Sequence, residues 1–270
     1  MPIENMKKSI VDPKKEALIV RHSYLNSGSY DEKIYDQLPE LAKYTNGRQP
    51  VNCLEGDLLQ VRETGEPILT HEDWFSVSKD RYRALRQEKI ACSLEEALCK
   101  ARTYQIKHPD NRLVLCLEPK LTTDKETIER AMKLLKQYGF SEETAYFDSF
   151  YGNKLDRVAE LNQESGSAFL RSYHMLLGNL GNLKLTFPFT PAKKGYDLVS
   201  TQYPTSFGKF NGPKIYGAVG SLKALEEVTK DPEVLGAYLR LREGGGLTGM
   251  LKMLSTSASN NNRKRGNHNK

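Results

Sequence analysis

The chain has 270 residues, is 38% hydrophobic and carries a formal net charge of +6 at pH 7. That is enough apolar material for one large α/β domain or two small ones, while no apolar run approaches the roughly 18 residues of a membrane-spanning helix. Residues 1–8 lack the apolar segment of a secretory signal, so membrane insertion is not expected.

Four of the net positive charges, Arg263, Lys264, Arg265 and Lys270, stand in a C-terminal stretch without an acid, and the body is close to balanced. The basic balance therefore gives no reason to expect a nucleic-acid partner. Residues 255–270, rich in Ser, Asn and basic side chains, read as a disordered basic tail behind a domain of residues 1–254. Cys53, Cys92, Cys99 and Cys116 show no CxxC pair or dense spacing and read as buried free thiols, which favours a reducing compartment. The expected location is the cytoplasm, or outside the cell by a signal-independent route. Nothing in the sequence bears on oligomeric state.

In chain order, residues 17–20 form a short apolar strand ending in Arg21-His22, and residues 31–44 have helical spacing with Pro39 as a kink. Asn46-Gly47 marks a turn. A strand through Leu54 and Leu58 puts Glu55 and Asp57, two apart, on one face. After a polar turn, Pro67 to Thr70 reads as a second strand that delivers His71.

Ser93 and Glu96 form a capping box before an apolar stripe of Leu94, Ala97, Leu98 and Ala101. Leu113 to Leu117 is a continuous apolar run suited to a covered parallel sheet, closed by Glu118-Pro119-Lys120. Thr123 and Glu126 make a second capping box for a helix that Gly139 stops. A strand at 144–147 and a helix through Leu155, Val158 and Leu161 follow. Further strands are expected at 168–170, 183–187, 197–200 and 214–219, a helix at 221–229, and a continuation of the helical layer at 238–242. About eight strands alternating with helices define the expected fold, an α/β (β/α)8 TIM-type barrel with an irregular C-terminal third.

In such a barrel the active site lies where the strands end. His22, Glu55, Asp57, His71, Glu118 and Lys120 all fall at or near strand ends. Paired carboxylates on one strand face repel unless a cation, a proton or a basic side chain sits between them, and hard oxygen donors suit Mg2+ or Ca2+. Two imidazoles beside such a site can act as base and acid in a displacement at phosphorus, with Lys120 offsetting phosphoryl charge.

The series His22, Glu55-x-Asp57, Gly65-x-Pro-Ile-Leu-x-His71 and Glu118-x-Lys120 resembles the glycerophosphodiester phosphodiesterase family, within the phospholipase C-like phosphodiesterase barrels. Phe147-Asp-Ser-Phe150 resembles that family's fifth-strand segment, and the likeness covers about residues 17 to 162. The resemblance implies a divalent cation on Glu55, Asp57 and Glu118, acid–base work by His22 and His71, and a small-molecule or lipid phosphodiester substrate met at most through peripheral membrane contact.

The sequence also departs from the family. His22 is followed by Ser23-Tyr24 instead of Arg-Gly, the usual Glu-Asn-Thr has no counterpart, His71 is followed by Glu72-Asp73, and Tyr216 to Val219 lacks the family's Trp and Thr. Sphingomyelinase D-like enzymes, which form a cyclic phosphate, also lack the Arg-Gly. That branch and an inactive barrel kept for binding are the rival readings. His108 reads as a solvated turn residue, His174 as a strand-end residue with nothing to pair with it, Trp74 and Phe75 as core or rim aromatics, and Gly244 to Gly246 as a linker.

Overall fold

The structure is a computed structural model that describes residues 10–21, 24–27, 38–71, 76–175, 179–180, 183–184, 195–201, 212–219, 221–231 and 233–239. Its strands are β1 (Glu16–Arg21), β2 (Gln49–Gln60), β3 (Pro67–Thr70), β4 (Ala91–Ser93), β5 (Leu113–Pro119), β6 (Ala145–Ser149), β7 (Leu170–Met175), β8 (Asn179–Leu180), β9 (Leu183–Lys184), β10 (Leu198–Thr201), β11 (Lys214–Val219) and β12 (Val234–Leu239). Its helices are α1 (Leu38–Leu41), α2 (Lys79–Gln87), α3 (Leu94–Lys107), α4 (Lys125–Gln137), α5 (Gly152–Ser165) and α6 (Leu222–Val228).

Among the described residues, eight strands close into a parallel ring in the order β1, β2, β5, β6, β7, β10, β11, β12 and back to β1. This is a (β/α)8 barrel, as the alternation of apolar runs and amphipathic helices requires. The strands are buried on both faces. Side chains on the outer face, such as Leu54, Leu115, Leu117 and Phe147, pack with Leu98, Ile128, Leu135, Leu155 and Val158 of the helices. Inside the ring, Val51 and Cys53, Val114 and Cys116, Tyr146, Leu170, Leu198 and Ile215 form a separate apolar cluster. Closure at the N-terminal end is tied by Arg48, whose guanidinium donates to the carbonyls of Pro13 (3.1 Å), Thr229 (2.9 Å) and Val234 (2.7 Å).

Several expected elements differ. The strand Pro67–Thr70 is present but stands outside the ring, antiparallel to the far end of β2, with β4 antiparallel to it in turn. The eighth place belongs to β12, where the sequence reading continues the helical layer. The strand is short and its residues Val234 to Tyr238 are buried, and Gly236 lets it close on β1: a Cβ at that position would sit 2.0 Å from the Leu18 carbonyl oxygen. Leu183–Lys184 pairs with β8 in a small hairpin and is likewise not a barrel strand. The strand expected at 168–170 begins only at Leu170, and β6, with its Phe-Asp-Ser-Phe segment, is the fourth strand of the ring and not the fifth. The helix α2 escaped the sequence reading because its buried stripe is thin, Tyr82 and Leu85 among charged neighbours.

Local signals fare unevenly. Ser93 caps α3 by accepting from the Glu96 N–H, but the Glu96 carboxylate turns to Arg86 and Lys100 and does not close the box. Asp124, not Thr123, caps α4. Gly139, at φ 79°, ends that helix as expected. Cys53, Cys92 and Cys116 are buried free thiols, whereas Cys99 is exposed on α3. His108 stacks on Tyr104 at 4.5 Å and is only partly solvated. His22, Trp74, Phe75, residues 244–246 and the tail 255–270 lie outside the described residues.

Candidate metal and phosphoryl site

The interior of the barrel changes character along β2, β5, β6, β7 and β10. One step beyond the apolar cluster, the inward positions become Glu55 and Asp57 on β2, Glu118 on β5, Asp148 on β6, Ser172 and His174 on β7, Ser200 on β10, with Tyr238 on β12. Because neighbouring strands are in parallel register, with Asp57 opposite Glu118, these side chains share the C-terminal half of the ring. All are buried.

Glu55, Asp57 and Glu118 each offer a carboxylate oxygen within 4.8 Å of the others. Lys120, just past the end of β5, folds its ammonium back onto them. It contacts Asp57 and lies 2.6 Å from Glu118, with its side chain only 8% exposed. The loop that carries Lys120 is pinned to β2: the Lys120 N–H donates to the Leu58 carbonyl at 3.1 Å, and the Thr123 hydroxyl donates to the same carbonyl at 2.6 Å. The Gln60 side chain then brackets Asp124, donating to its carboxylate at 2.6 Å and accepting its N–H at 2.9 Å. The end of β2 and the start of α4 are thus one unit, and Lys120 has a fixed root.

Asp57 is gripped from the other side by Asn26, in the 3-10 turn Tyr24–Ser27 that follows β1. The Asn26 amide donates to the Asp57 carboxylate, and its carbonyl accepts the Asp57 backbone N–H at 2.9 Å. Gly56 makes this approach possible, since a Cβ there would lie 2.9 Å from the Leu25 Cβ. The glycine between the two acids is therefore a packing requirement of the turn that holds one of them.

Burial alone would raise the Asp57 carboxyl. The Lys120 ammonium, by charge and hydrogen bond, with His71 and the Asn26 amide in support, holds it below its ordinary value. Burial pushes Glu118 the other way, up to about 7, against the opposing pull of Lys120 and with Asp57 adding to the rise. For Lys120, burial disfavours the charge, yet Glu118, Asp57 and Glu55 together keep it above its ordinary value. Among the described residues, three buried carboxylates lie around the Lys120 ammonium, and burial, with Asp57 adding to it, is what raises Glu118. Hard oxygen donors gathered this closely could hold a divalent ion.

His71, at the end of β3, is exposed, and its charge reaches Asp57. The structure therefore brings Glu55, Asp57, Glu118, Lys120 and His71 to one region. Arg21 is not part of the mouth. Strand alternation turns it to the outer face, where its guanidinium donates to the side-chain Oδ1 of Asn52 at 3.1 Å.

Sequence reasoning missed two groups. Asn26 left no signal, being a lone amide in a loop. The second is a buried polar cluster around Asp148. Its carboxylate accepts from His174 Nδ1 at 3.0 Å, from the Ser200 hydroxyl at 2.9 Å and from the Tyr238 hydroxyl at 2.6 Å. His174 therefore does have a partner. Burial would raise Asp148, but the His174 ring, by charge and hydrogen bond, and the two hydroxyls hold it below its ordinary value. The inward parity of a single Asp two residues after Tyr146 was the available clue.

No protein-family model and no curated protein matches the chain. Solved structures do match its fold. A protein from Silicibacter pomeroyi assigned as a glycerophosphoryl diester phosphodiesterase superposes with a TM-score of 0.52 at 14% identity, over 83% of this chain and 90% of that one. A phosphodiesterase from Oleispira antarctica, solved in complex with the product sn-glycerol-3-phosphate, gives 0.50 at 17% identity, over 83% and 92%. At these identities the likeness is one of fold. Among the described residues, no helix is long and apolar enough to cross a membrane.

Proposed function

We propose that the chain is a phosphoric diester hydrolase that uses a divalent cation, Mg2+ or Ca2+, on glycerophosphodiesters or lysophospholipid-like substrates. The observation that carries this reading is the convergence of Glu55, Asp57 and Glu118 inside the C-terminal half of a barrel whose fold is shared with phosphodiesterases. Those three carboxylates would hold the cation, which when bound offsets charge on the phosphoryl oxygens. Lys120 contributes a buried positive charge beside the same oxygens. His22 and His71 are the proposed acid–base pair: one takes a proton from the attacking water, and the other protonates the departing alkoxide.

Release of alcohol from glycerophosphocholine and from lysolipids, measured with chelator and with added Mg2+ or Ca2+, tests this. Hydrolysis should require the cation and be lost in Glu55→Ala. Full activity of that variant would remove the cation from the reaction, and a cyclic phosphate in the phosphorus NMR spectrum would replace hydrolysis by a lyase reaction. Absence of turnover together with a melting temperature indifferent to either ion would leave a binding scaffold.

A further inference from the structure

The proposed cation chemistry leaves one part of the barrel mouth unused. His174 and Ser172 are two apart on β7 and face the interior together. Among the described residues, His174 Nε2 and Ser172 Oγ are buried and have no hydrogen-bond partner. Buried polar atoms without partners are rare in folded proteins, and two on one inward strand face in the polar half of the ring point to a ligand.

The chemistry of the pair follows from its surroundings. An ionised Asp148 carboxylate can only accept, so the His174 nitrogen facing it, Nδ1, carries a proton. The Phe150 ring, its centroid 4.1 Å from that of His174, covers the imidazole on one side. With Nδ1 bound and one face covered, the ring is held in one orientation and Nε2 is left for a ligand. The residue is 6% exposed, so the ligand must enter the mouth to meet it. That mouth is rich in acids, and its buried ammonium, Lys120, is shared between Asp57 and Glu118. An anion entering it needs further donors; the Ser172 hydroxyl is one, and a His174 ring carrying a proton on both nitrogens would be another, its charge balanced by the Asp148 carboxylate.

We infer that His174 and Ser172 bind a phosphoryl oxygen, with His174 Nε2–H and Ser172 Oγ–H as donors and Asp148 as the buried counter-charge. The identity of the anion rests on the phosphodiesterase reading; the existence of the pair does not.

The test is calorimetric binding of glycerol 3-phosphate and of inorganic phosphate to the full chain with Mg2+ present. Ser172→Ala, which removes only a hydroxyl, should weaken binding by about threefold, and His174→Phe by about tenfold or more. His174→Gln keeps an N–H donor near the ε position and should stay within about threefold of the unaltered chain. Should the His174→Phe variant not fold, the unaltered chain decides. In 15N-histidine spectra, with the His174 signal assigned from His174→Gln, addition of glycerol 3-phosphate should move Nε2. A stationary Nε2, equal affinity in Ser172→Ala and His174→Phe, or no binding of either anion would overturn the inference. Diester hydrolysis with anion binding indifferent to His174 sinks it and spares the enzyme reading. Anion binding that depends on His174 without hydrolysis does the reverse.

Discussion

Lys120→Met is the substitution that most directly probes the charge balance of the mouth. It keeps most of the side-chain volume and removes the Lys120 ammonium that contacts Asp57 and Glu118, from a position where all three side chains are at most 8% exposed. Removing one partner of a buried ion pair costs about 3–5 kcal/mol, because the remaining charge has no compensation. Glu118, already up to about 7, can take a proton and relieve part of the repulsion, so the lower end applies: about 3 kcal/mol near neutral pH. For a domain of this size that is a fall in Tm of roughly 6–12 °C. In the variant the cation no longer competes with an ammonium for the same oxygens. Saturating Mg2+ or Ca2+ at about a hundred times its Kd returns about 2.7 kcal/mol, most of the loss. Thermal unfolding of chelated and metal-loaded protein, with exposed Lys133→Met as control, reads both effects. A chelated Lys120→Met protein as stable as the unaltered chain would refute the reasoning, as would a metal-induced rise in Tm larger in the unaltered chain than in the variant.

Asp148→Asn should destabilise the protein by roughly 2–4 kcal/mol at neutral pH, since it removes a buried carboxylate that three donors address. Asp148 is held below its ordinary value in the folded state, so its contribution is present above the unfolded value and is lost as pH falls through the folded one. The stability gap between Asp148→Asn and the unaltered chain, followed by urea unfolding, should therefore narrow below about pH 4; a gap that is flat from pH 3 to 7 contradicts this. Gly236→Ala places a Cβ against the Leu18 carbonyl, and relieving that clash must open the β1–β12 seam. Its expected cost is roughly 3 kcal/mol or more, read as a drop in Tm that no interior repacking of similar size produces. Gly56→Ala pushes on Leu25 and, through it, on Asn26, so it should lower metal affinity more than it lowers stability. Isothermal titration with Ca2+ against thermal unfolding separates the two, and an unchanged affinity would release Asn26 from any part in the site.

The fold was legible wherever one strand or helix carries its own signal. Leu113 to Leu117 and Pro67 to Thr70 state their burial in their composition, and α3 states its start at Ser93. What failed was assignment to the ring. Pro67–Thr70 and Val234–Leu239 are both short buried strands, and only closure decides that the second belongs to the barrel while the first lies outside it. Gly236 is the condition for that closure, a fact stored on Leu18, more than two hundred positions away.

The same division runs through the site. Glu55 and Asp57 were legible because strand parity alone puts them on one face, and Glu118 with Lys120 because they end an unmistakable strand. The Asp148 cluster was not, because its partners lie 26, 52 and 90 positions further on and nothing local in Phe147-Asp-Ser-Phe150 names them. Yet one rule covers both. β2, β5, β6, β7 and β10 are each apolar where they cross the lower ring and polar two residues later, so parallel register alone stacks the polar positions at one height. The lower cluster must stay dry for this to work: burial drives the thiols of Cys53 and Cys116 and the Tyr146 hydroxyl upward, and they remain protonated. A neutral floor beneath a charged layer confines the negative charge to the C-terminal half of the barrel. On the proposed function the acids of β2 and β5 and the imidazole of β7 then share one layer of the ring, where the first would draw the cation and the second would receive the phosphoryl oxygen.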